Sequence, residues 1–334
     1  MLTDRFIKEF RSHSNNELFS FNSFFQTLAS QTPPKVKIVM SNGYDASTGR
    51  EAILINFYKN PQFRSIDVFA RSTVEKFVQF LESKDCENPS YECQLIFMVH
   101  CSKAKAEYSF FETVFKNFNT IKIVEYKDSY LENLLLKIKQ NDTIVKAIKS
   151  SVFDFGAKHI DKDDLKPIMV VFFEAQLNIL NGFASMDKIY INLTKINFLL
   201  ETIEYYGKKQ NNDLILGLYF TRLAIHEMTH VLLRRKLNDL NVSSPFLEQK
   251  NMEILGNDFL ESGYIAEKKI FGAKIDFFRG LEILNFDYLN NFFRDVMENK
   301  STLNFDLKIS RCQISESVPI MAVDIDIRKK REYE

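Results

Sequence analysis

The sequence predicts an α+β protein built from two domains. Its 334 residues are enough for two domains of ordinary size. The first half alternates short, β-rich segments with helical patterns, whereas the second half contains a long helical pattern after a few strand-like segments. A composition of 45% hydrophobic and 26% charged residues indicates a globular protein and argues against disordered, collagen-like and disulfide-scaffold classes.

We expect four segments along the chain. They are a polar leader over residues 1–34, an α/β-type layer domain over 35–155, a second domain over 165–310, and a C-terminal strand with a charged tail over 311–334. The stretch from Lys158 to Pro167 is the best linker candidate, because it is charged and ends in proline. No glycine-rich phosphate loop follows a strand in the first domain, so we assign no chemistry to it.

The elements are predicted from apolar spacing and from capping residues. Strands are expected where short apolar runs lie between turn signals, over 35–40, 52–58, 65–70, 93–100 and 120–126, and in the second domain over 168–173 and 188–193. Capping boxes at Ser72–Glu75 and Ser129–Glu132 predict the starts of two helices, and an amphipathic helix is expected over 105–118. Helical spacing runs from 199 to 238, with a break near 207–212.

Charge and cysteine content narrow the classes of partner and compartment. The 44 basic and 44 acidic side chains cancel, so no overall field favours nucleic acid or an anionic membrane. Four cysteines are too few for a disulfide framework. A zinc knuckle of Cys86, Cys93, His100 and Cys101 has the wrong spacing, and buried thiols and a core histidine are expected instead. The N-terminus is charged and no apolar stretch approaches the roughly 20 residues that span a bilayer, so we expect a cytosolic protein.

One motif in the chain is typical of metal binding, and it has the form H-E-x-x-H. It consists of His226, Glu227 and His230, and composition alone predicts on the order of 0.01 such matches in the chain. Residues four apart lie on the same face of a helix, so both imidazoles can reach one metal ion. Glu227 is rotated by about 100° from His226, which places its carboxylate beside the metal rather than on it. Apolar neighbours on both sides predict that the pair is buried, and we expect it to bind zinc.

A catalytic zinc site needs a third protein ligand, and we expect an acid from a later helix. The candidates are Glu248, Glu253, Glu261 and Glu267. If the next helix starts near Glu248 and runs back antiparallel to the site helix, about ten residues bring it level with the two histidines. Glu261 is then the preferred ligand and Glu267 the alternative. Gly263 in the same helix indicates close approach to the site helix.

The motif and the later glutamate resemble the zincin metallopeptidases, in a gluzincin-like arrangement. The resemblance covers about residues 165–275. The thermolysin-type second motif has asparagine before this glutamate and aspartate four residues after it, whereas this chain has Leu260 and Ile265 there. The resemblance implies a mixed sheet packed on the H-E-x-x-H helix, with an edge strand that pairs with an extended peptide. Lys188–Leu193 is expected to be that strand.

The expected function is therefore zinc-dependent hydrolysis of peptide bonds, with a peptide or protein as substrate. Zinc held by His226, His230 and Glu261 would activate a water molecule. Glu227 would accept the proton as general base. The donor for the oxyanion stays unassigned among five candidates, which are Tyr264, Tyr205, Tyr206, Arg234 and Arg235.

A second hypothesis belongs to another class of protein. The chain can be a non-catalytic zinc-binding regulator or interaction module with a degenerate peptidase site. A nucleic-acid-binding role has little support, because the basic run Arg328–Arg331 is short and terminal. The sequence predicts no oligomeric state.

Overall fold

The computed structural model describes residues 1–13, 17–28, 46–66, 68–83, 88–104, 106–126, 129–154, 160, 162–177, 180–242 and 261–315. Over these residues the protein is a mixed α+β structure, mostly helical with small sheets, and the predicted fold class is confirmed at that level. Within the same residues, every helix is too short or too polar to cross a membrane.

The N-terminal part is a set of helices joined by very short strands. Its helices are α1 (Leu2–Ser12), α2 (Phe21–Leu28), α3 (Ala46–Lys59), α4 (Pro61–Arg64), α5 (Arg71–Glu82), α6 (Pro89–Cys101) and α7 (Tyr108–Asn117). Its strands are β1 (Leu18–Phe19), β2 (Phe69–Ala70) and β3 (Lys122–Ile123). Strands β1 and β2 pair with each other in antiparallel fashion, and β3 joins the main sheet.

Phenylalanine fills the core of this part. The fully buried rings include Phe6, Phe10, Phe21, Phe57, Phe63, Phe69, Phe77, Phe111, Phe115 and Phe118. Many of them meet edge to face, which is the arrangement that aromatic quadrupoles favour. Helices α1 and α2 contribute three of these rings, so the segment that we expected to be a polar leader is packed into the core over its described residues.

The expected α/β layering of this part is wrong. Residues 52–58 lie in α3 and residues 93–100 lie in α6, although both were predicted to be strands. Both segments are mostly apolar and buried, and such a run does not distinguish a buried strand from a buried helix. Asn88 caps α6 and Pro89 occupies its first turn, which are the start signals of a helix.

Other local predictions have mixed outcomes. Helices were correctly expected near residue 72 and within 105–118, where α5 and α7 lie. The capping box predicted at Ser72–Glu75 is wrong, because α5 begins at Arg71 and its N-cap is Ala70. The strands expected over 65–70 and 120–126 shrink to β2 and β3, with two residues each. The strand expected over 35–40 lies outside the described residues.

The C-terminal part surrounds one long helix. Its helices are α8 (Ser129–Gln140), α9 (Asp142–Phe153), α10 (Leu193–Tyr205), α11 (Asn212–Leu237), α12 (Ser262–Phe271), α13 (Phe286–Met297) and α14 (Leu307–Ser310). Its strands are β4 (Met169–Glu174), β5 (Gly182–Ala184), β6 (Lys188–Asn192), β7 (Ile275–Asp276) and β8 (Gln313–Ile314). The predicted start of α8, the strands β4 and β6 and the break between α10 and α11 agree with the structure.

Helix α11 is the centre of this part. All its residues from Ile215 to Arg234 are buried, because strands β5 and β6 and helices α8, α9, α12 and α13 pack around it. A helix that is buried on every side needs other elements packed around it in this way. Helices α8 and α9, which we placed in the first domain, thus pack on the helix that carries the motif. The domain boundaries themselves stay a prediction.

The main sheet has the strand order β3-β4-β6-β5. Strand β6 is parallel to β4 and antiparallel to β5, and β3 is antiparallel to β4. Residues 188–193 were expected to form the edge strand, but β6 is an interior strand. Among the described residues, the short strand β5 pairs with β6 on the side away from β4 and takes the edge position next to α11, so the expected edge strand is corrected to β5.

Candidate metal centre

The two histidines of the motif lie one helical turn apart on α11 and face the same point. Their Nε2 atoms are 3.2 Å apart. Both side chains are buried, with 3% of His226 and 6% of His230 exposed. Helical spacing alone produces this convergence, as the sequence predicted.

Glu261 joins the pair from another element. Its Oε1 atom lies 2.9 Å from Nε2 of His230 and 3.6 Å from Nε2 of His226. Glu261 is the N-cap of α12, in extended backbone, and not the mid-helix residue that we expected. The helix expected to begin near Glu248, and Glu248 and Glu253 with it, lie outside the described residues.

These three atoms have the spacing that one metal ion requires. Bonds of about 2.0–2.1 Å at a tetrahedral angle separate ligand atoms by about 3.3 Å. The three observed separations lie between 2.9 and 3.6 Å. Among the described residues, His226, His230 and Glu261 are the one group of acids, histidines and cysteines that can hold a metal ion.

Glu267, the alternative ligand, lies at the other nitrogen of His226. Its Oε1 atom is 2.7 Å from Nδ1 of His226, and its Oε2 atom accepts a hydrogen bond of 3.2 Å from Arg222. Burial raises the pKa of Glu267, but Arg222, His226 and Lys274 together outweigh burial and lower it. An ionised Glu267 accepts a hydrogen bond from Nδ1 of His226, so Nε2, which faces Glu261, is the nitrogen that can bind a metal once its proton is displaced.

Gly263 explains how α12 comes close enough. A Cβ atom at this position would lie 2.6–2.7 Å from ring atoms of His226, which is too close for any other residue. The close approach that Gly263 predicted is therefore confirmed, at the second residue of α12 rather than in the middle of a longer helix. The ring of Tyr264 packs edge-on against the same imidazole, with 4.7 Å between ring centroids.

Glu227 is buried beside the three convergent atoms. Only 2% of it is exposed, and its Oε1 atom has no hydrogen-bond partner among the described residues. Burial raises the pKa of Glu227 to about 7, although His226 and Arg234 oppose this change. A buried carboxyl group without a partner carries a large cost, and such groups concentrate at functional sites.

The histidines and Glu261 have perturbed proton affinities. Burial lowers the pKa of His226, but Glu261 and Glu267 outweigh burial and raise it. Burial also lowers the pKa of His230, and this effect prevails there. For Glu261, burial raises the pKa, while the two imidazoles outweigh burial and hold it well below its usual range. A metal ion that takes both Nε2 lone pairs therefore displaces a proton from the site.

The five oxyanion candidates fall in different places. Tyr205 and Tyr206 are exposed at the end of α10, and Arg235 donates to the carbonyl of Asp164. Tyr264 lies against His226, as described above. Arg234 is buried one turn beyond His230 and donates to the carbonyls of Ala184 and Val242.

The sequence did not reveal two functional neighbours of the site. Arg222 precedes His226 by one helical turn, and this spacing could have predicted that the two side chains lie on the same face of the helix. His100 was expected to be a core residue, and it is buried, but it also binds Arg234 and the carbonyl of Ala184. Those bonds engage both ring nitrogens, so His100 does not join Cys93 and Cys101 in a metal site. Cys86 lies outside the described residues.

Comparisons with protein-family models, curated proteins and solved structures found no match to this chain.

Proposed function

We propose that the protein is a zinc metallopeptidase in which His226, His230 and Glu261 hold the metal. The observation that carries this proposal is the convergence of two Nε2 atoms and one carboxylate oxygen beside the Oε1 atom of Glu227, which has no hydrogen-bond partner among the described residues. Two imidazoles and a carboxylate are a ligand set that catalytic zinc uses, with a fourth position left for water or substrate. Imidazole nitrogen also favours zinc over magnesium or calcium, which prefer oxygen ligands.

Glu227 is the general base of the proposed reaction. When bound, zinc polarises the scissile carbonyl and lowers the pKa of water. Glu227 accepts a proton from the attacking water and returns it to the leaving amine. Burial raises the pKa of Glu227 towards neutral pH, which favours a group that must both accept and return a proton.

Strand β5 packs on α11 beside the motif, and all three of its residues are buried. The carbonyl group of Ala184 is already bound by Arg234 and His100, so we assign no docking edge for an extended peptide to this strand. The mixed sheet on the motif helix supports the zincin-like layout that we propose, and a cytosolic location stays part of the same proposal.

The test is cleavage of unfolded proteins and a peptide library by the zinc-loaded protein. Glu227→Gln should retain zinc and lose at least about a hundredfold of the hydrolysis rate, because the amide cannot accept the proton. Glu201→Gln makes the same chemical change at an exposed position of α10 and should leave the rate unchanged. Hydrolysis that survives in Glu227→Gln at the wild-type rate would contradict the assigned base.

A second candidate is a non-catalytic zinc-binding module, and the burial of the site favours it. Glu227 and the two histidines are each more than nine-tenths buried within the described residues. Stoichiometric zinc without cleavage of any protein or peptide in the same assay would support this candidate and overturn the peptidase.

A further inference from the structure

Two buried cations lie together beside the proposed metal site. Arg234 follows His230 by one turn of α11, and Lys103 comes just after the end of α6. Only 4% of Arg234 and 7% of Lys103 are exposed. Both charges act on the imidazole of His100, whose pKa they lower together with burial. The two cations are therefore neighbours, although they come from distant parts of the chain.

Neither cation forms an ion pair with any of the described residues. Arg234 donates to the carbonyls of Ala184 and Val242, and its Nη2 atom lies 3.2 Å from Nδ1 of His100. The ammonium group of Lys103 donates to one backbone carbonyl, at 2.7 Å. Arginine and lysine are almost never fully buried unless an opposite charge pairs with them. This arrangement therefore indicates a place for a negative charge.

The nearest acids do not cancel this positive charge. Glu227 and Glu261 raise the pKa of Arg234, but burial outweighs them and lowers it to about 10. Burial and the charge of Arg234 lower the pKa of Lys103 well below its usual value, and Asp239 opposes them only in part. A bound anion would offset the cost of burying both cations.

Both side chains keep hydrogen-bond donors for such an anion. Each terminal nitrogen of the Arg234 guanidinium has two hydrogens and one partner among the described residues. The Lys103 ammonium has three hydrogens and one such partner. A carboxylate accepts several hydrogen bonds at once, and its bonds to arginine and lysine are strong because both partners are charged. The available donors thus fit a carboxylate.

The pair lies between the metal group and the surface at the end of α11. Arg234 is four residues beyond His230, which is about 6 Å along the helix axis. Each residue of an extended peptide spans about 3.3–3.6 Å, so one or two residues cover this distance. Asn241 and Val242, whose carbonyls accept from Lys103 and Arg234, are partly exposed. A ligand carboxylate can approach the two cations from that side.

We propose that Arg234 and Lys103 form a carboxylate-binding subsite, and that the substrates are peptides with a carboxylate one or two residues from the cleaved bond. This carboxylate belongs either to the C-terminus of the peptide or to an acidic side chain. The inference rests on the proposed function for the cleavage, whereas carboxylate binding is tested without it. Lys103 is the residue to change, because Arg234 also acts on Glu227 and Glu261.

The experiment measures peptide binding by calorimetry to the zinc-loaded full chain carrying Glu227→Gln. The first pair of peptides is one acetylated tetrapeptide that ends in a carboxylate or in an amide. The second pair is amidated and has glutamate or glutamine as its last residue. In at least one pair, the peptide with the carboxylate should bind about tenfold or more tightly. The pair that shows the preference identifies the source of the carboxylate, and equal affinities within both pairs overturn the proposal.

Lys103→Met in the same background should reduce this preference at least about threefold and leave the zinc content unchanged. Lys139→Met is the matched control, because Lys139 of α8 also donates to backbone carbonyls, those of Lys166 and Ile168. It should keep the full preference. A ratio of two affinities does not depend on the folded fraction, so poor folding of a variant cannot imitate the expected result. A preference that survives unchanged in Lys103→Met overturns the subsite.

Hydrolysis by the wild type separates this inference from the proposed function. Preference for the carboxylate without cleavage of any peptide supports the subsite and overturns the peptidase. Cleavage at equal rates with and without the carboxylate supports the peptidase and overturns the subsite.

Discussion

Glu267 shows how a residue outside the metal group can control metal binding. Its carboxylate holds Nδ1 of His226 at 2.7 Å and is itself held by Arg222. Such partners orient a liganding imidazole and increase its basicity. The sequence favoured Glu261 over Glu267 from helix length alone, and the structure places the two carboxylates at different nitrogens of one ring.

Glu267→Gln should weaken zinc binding about tenfold to a hundredfold without abolishing it. Glutamine can still accept from Nδ1, but it lacks the charge that favours the donor form of that nitrogen. The measurement is a competition titration with a zinc chelator, and Glu282→Gln, at an exposed position, is the control. Complete loss of zinc would instead indicate that Glu267 is a direct ligand.

His100 makes a pH-dependent contribution to stability. Its pKa is lowered in the folded protein, where Arg234, Lys103 and His230 face it, so the neutral form is favoured. A base with a lowered pKa stabilises the fold fully above its unfolded pKa of about 6.5, and this stabilisation is lost as the pH falls below that value. Protonation would also place an N–H group against the guanidinium of Arg234.

Denaturant unfolding should therefore show a smaller decrease in stability between pH 7.5 and 5.5 in His100→Gln than in the wild type. Glutamine does not titrate, so the difference between the two proteins isolates this imidazole. Equal pH dependence would contradict a neutral, buried His100.

Within the metal group, sequence reasoning succeeded where the geometry is local. Helical spacing is enough to bring His226 and His230 together, and Gly263 marked the contact with α12. The contact between Arg234 and His100 could not be predicted from spacing, because 134 positions separate the two residues and only tertiary packing brings them together.

At the scale of elements, the errors come from segments without a periodic pattern. Residues 52–57 of α3 and 95–101 of α6 are buried without a break, so these stretches lack the polar face that identifies an amphipathic helix. Helices with one polar face, such as α5 and α7, were predicted correctly. The edge strand was misassigned because β5 has only three residues, too few to form a recognisable pattern.

Helix α3 should be essential for the aromatic core. Phe57 is fully buried and stacks on Phe63, with 4.1 Å between ring centroids. Phe57→Ala should reduce the free energy of unfolding by about 3–5 kcal/mol, because it removes a large buried side chain and leaves a cavity. Phe153→Ala, at a position 64% exposed, should change it by less than about 0.5 kcal/mol. Equal effects in a denaturant titration would contradict the packing of α3.

At the scale of the whole molecule, the sheet connects two hydrophobic cores. One core contains the phenylalanines of the N-terminal helices, and the other surrounds α11. Strand β3 enters the sheet directly from the N-terminal part, and Phe183 of β5 packs against Phe97 of α6. The N-terminal part therefore supports the sheet beside the proposed site. The sequence indicated no such role, because these contacts join segments far apart in the chain.

The central claim is that one zinc ion binds where His226, His230 and Glu261 converge. The most direct measurement is the metal content of the purified protein by elemental analysis, together with that of Glu261→Ala and His230→Ala. We expect about one zinc per chain in the wild type and a large loss in both variants, because each removes one of three ligands. A wild type that holds no stoichiometric metal, or variants that keep all of it, would contradict the account.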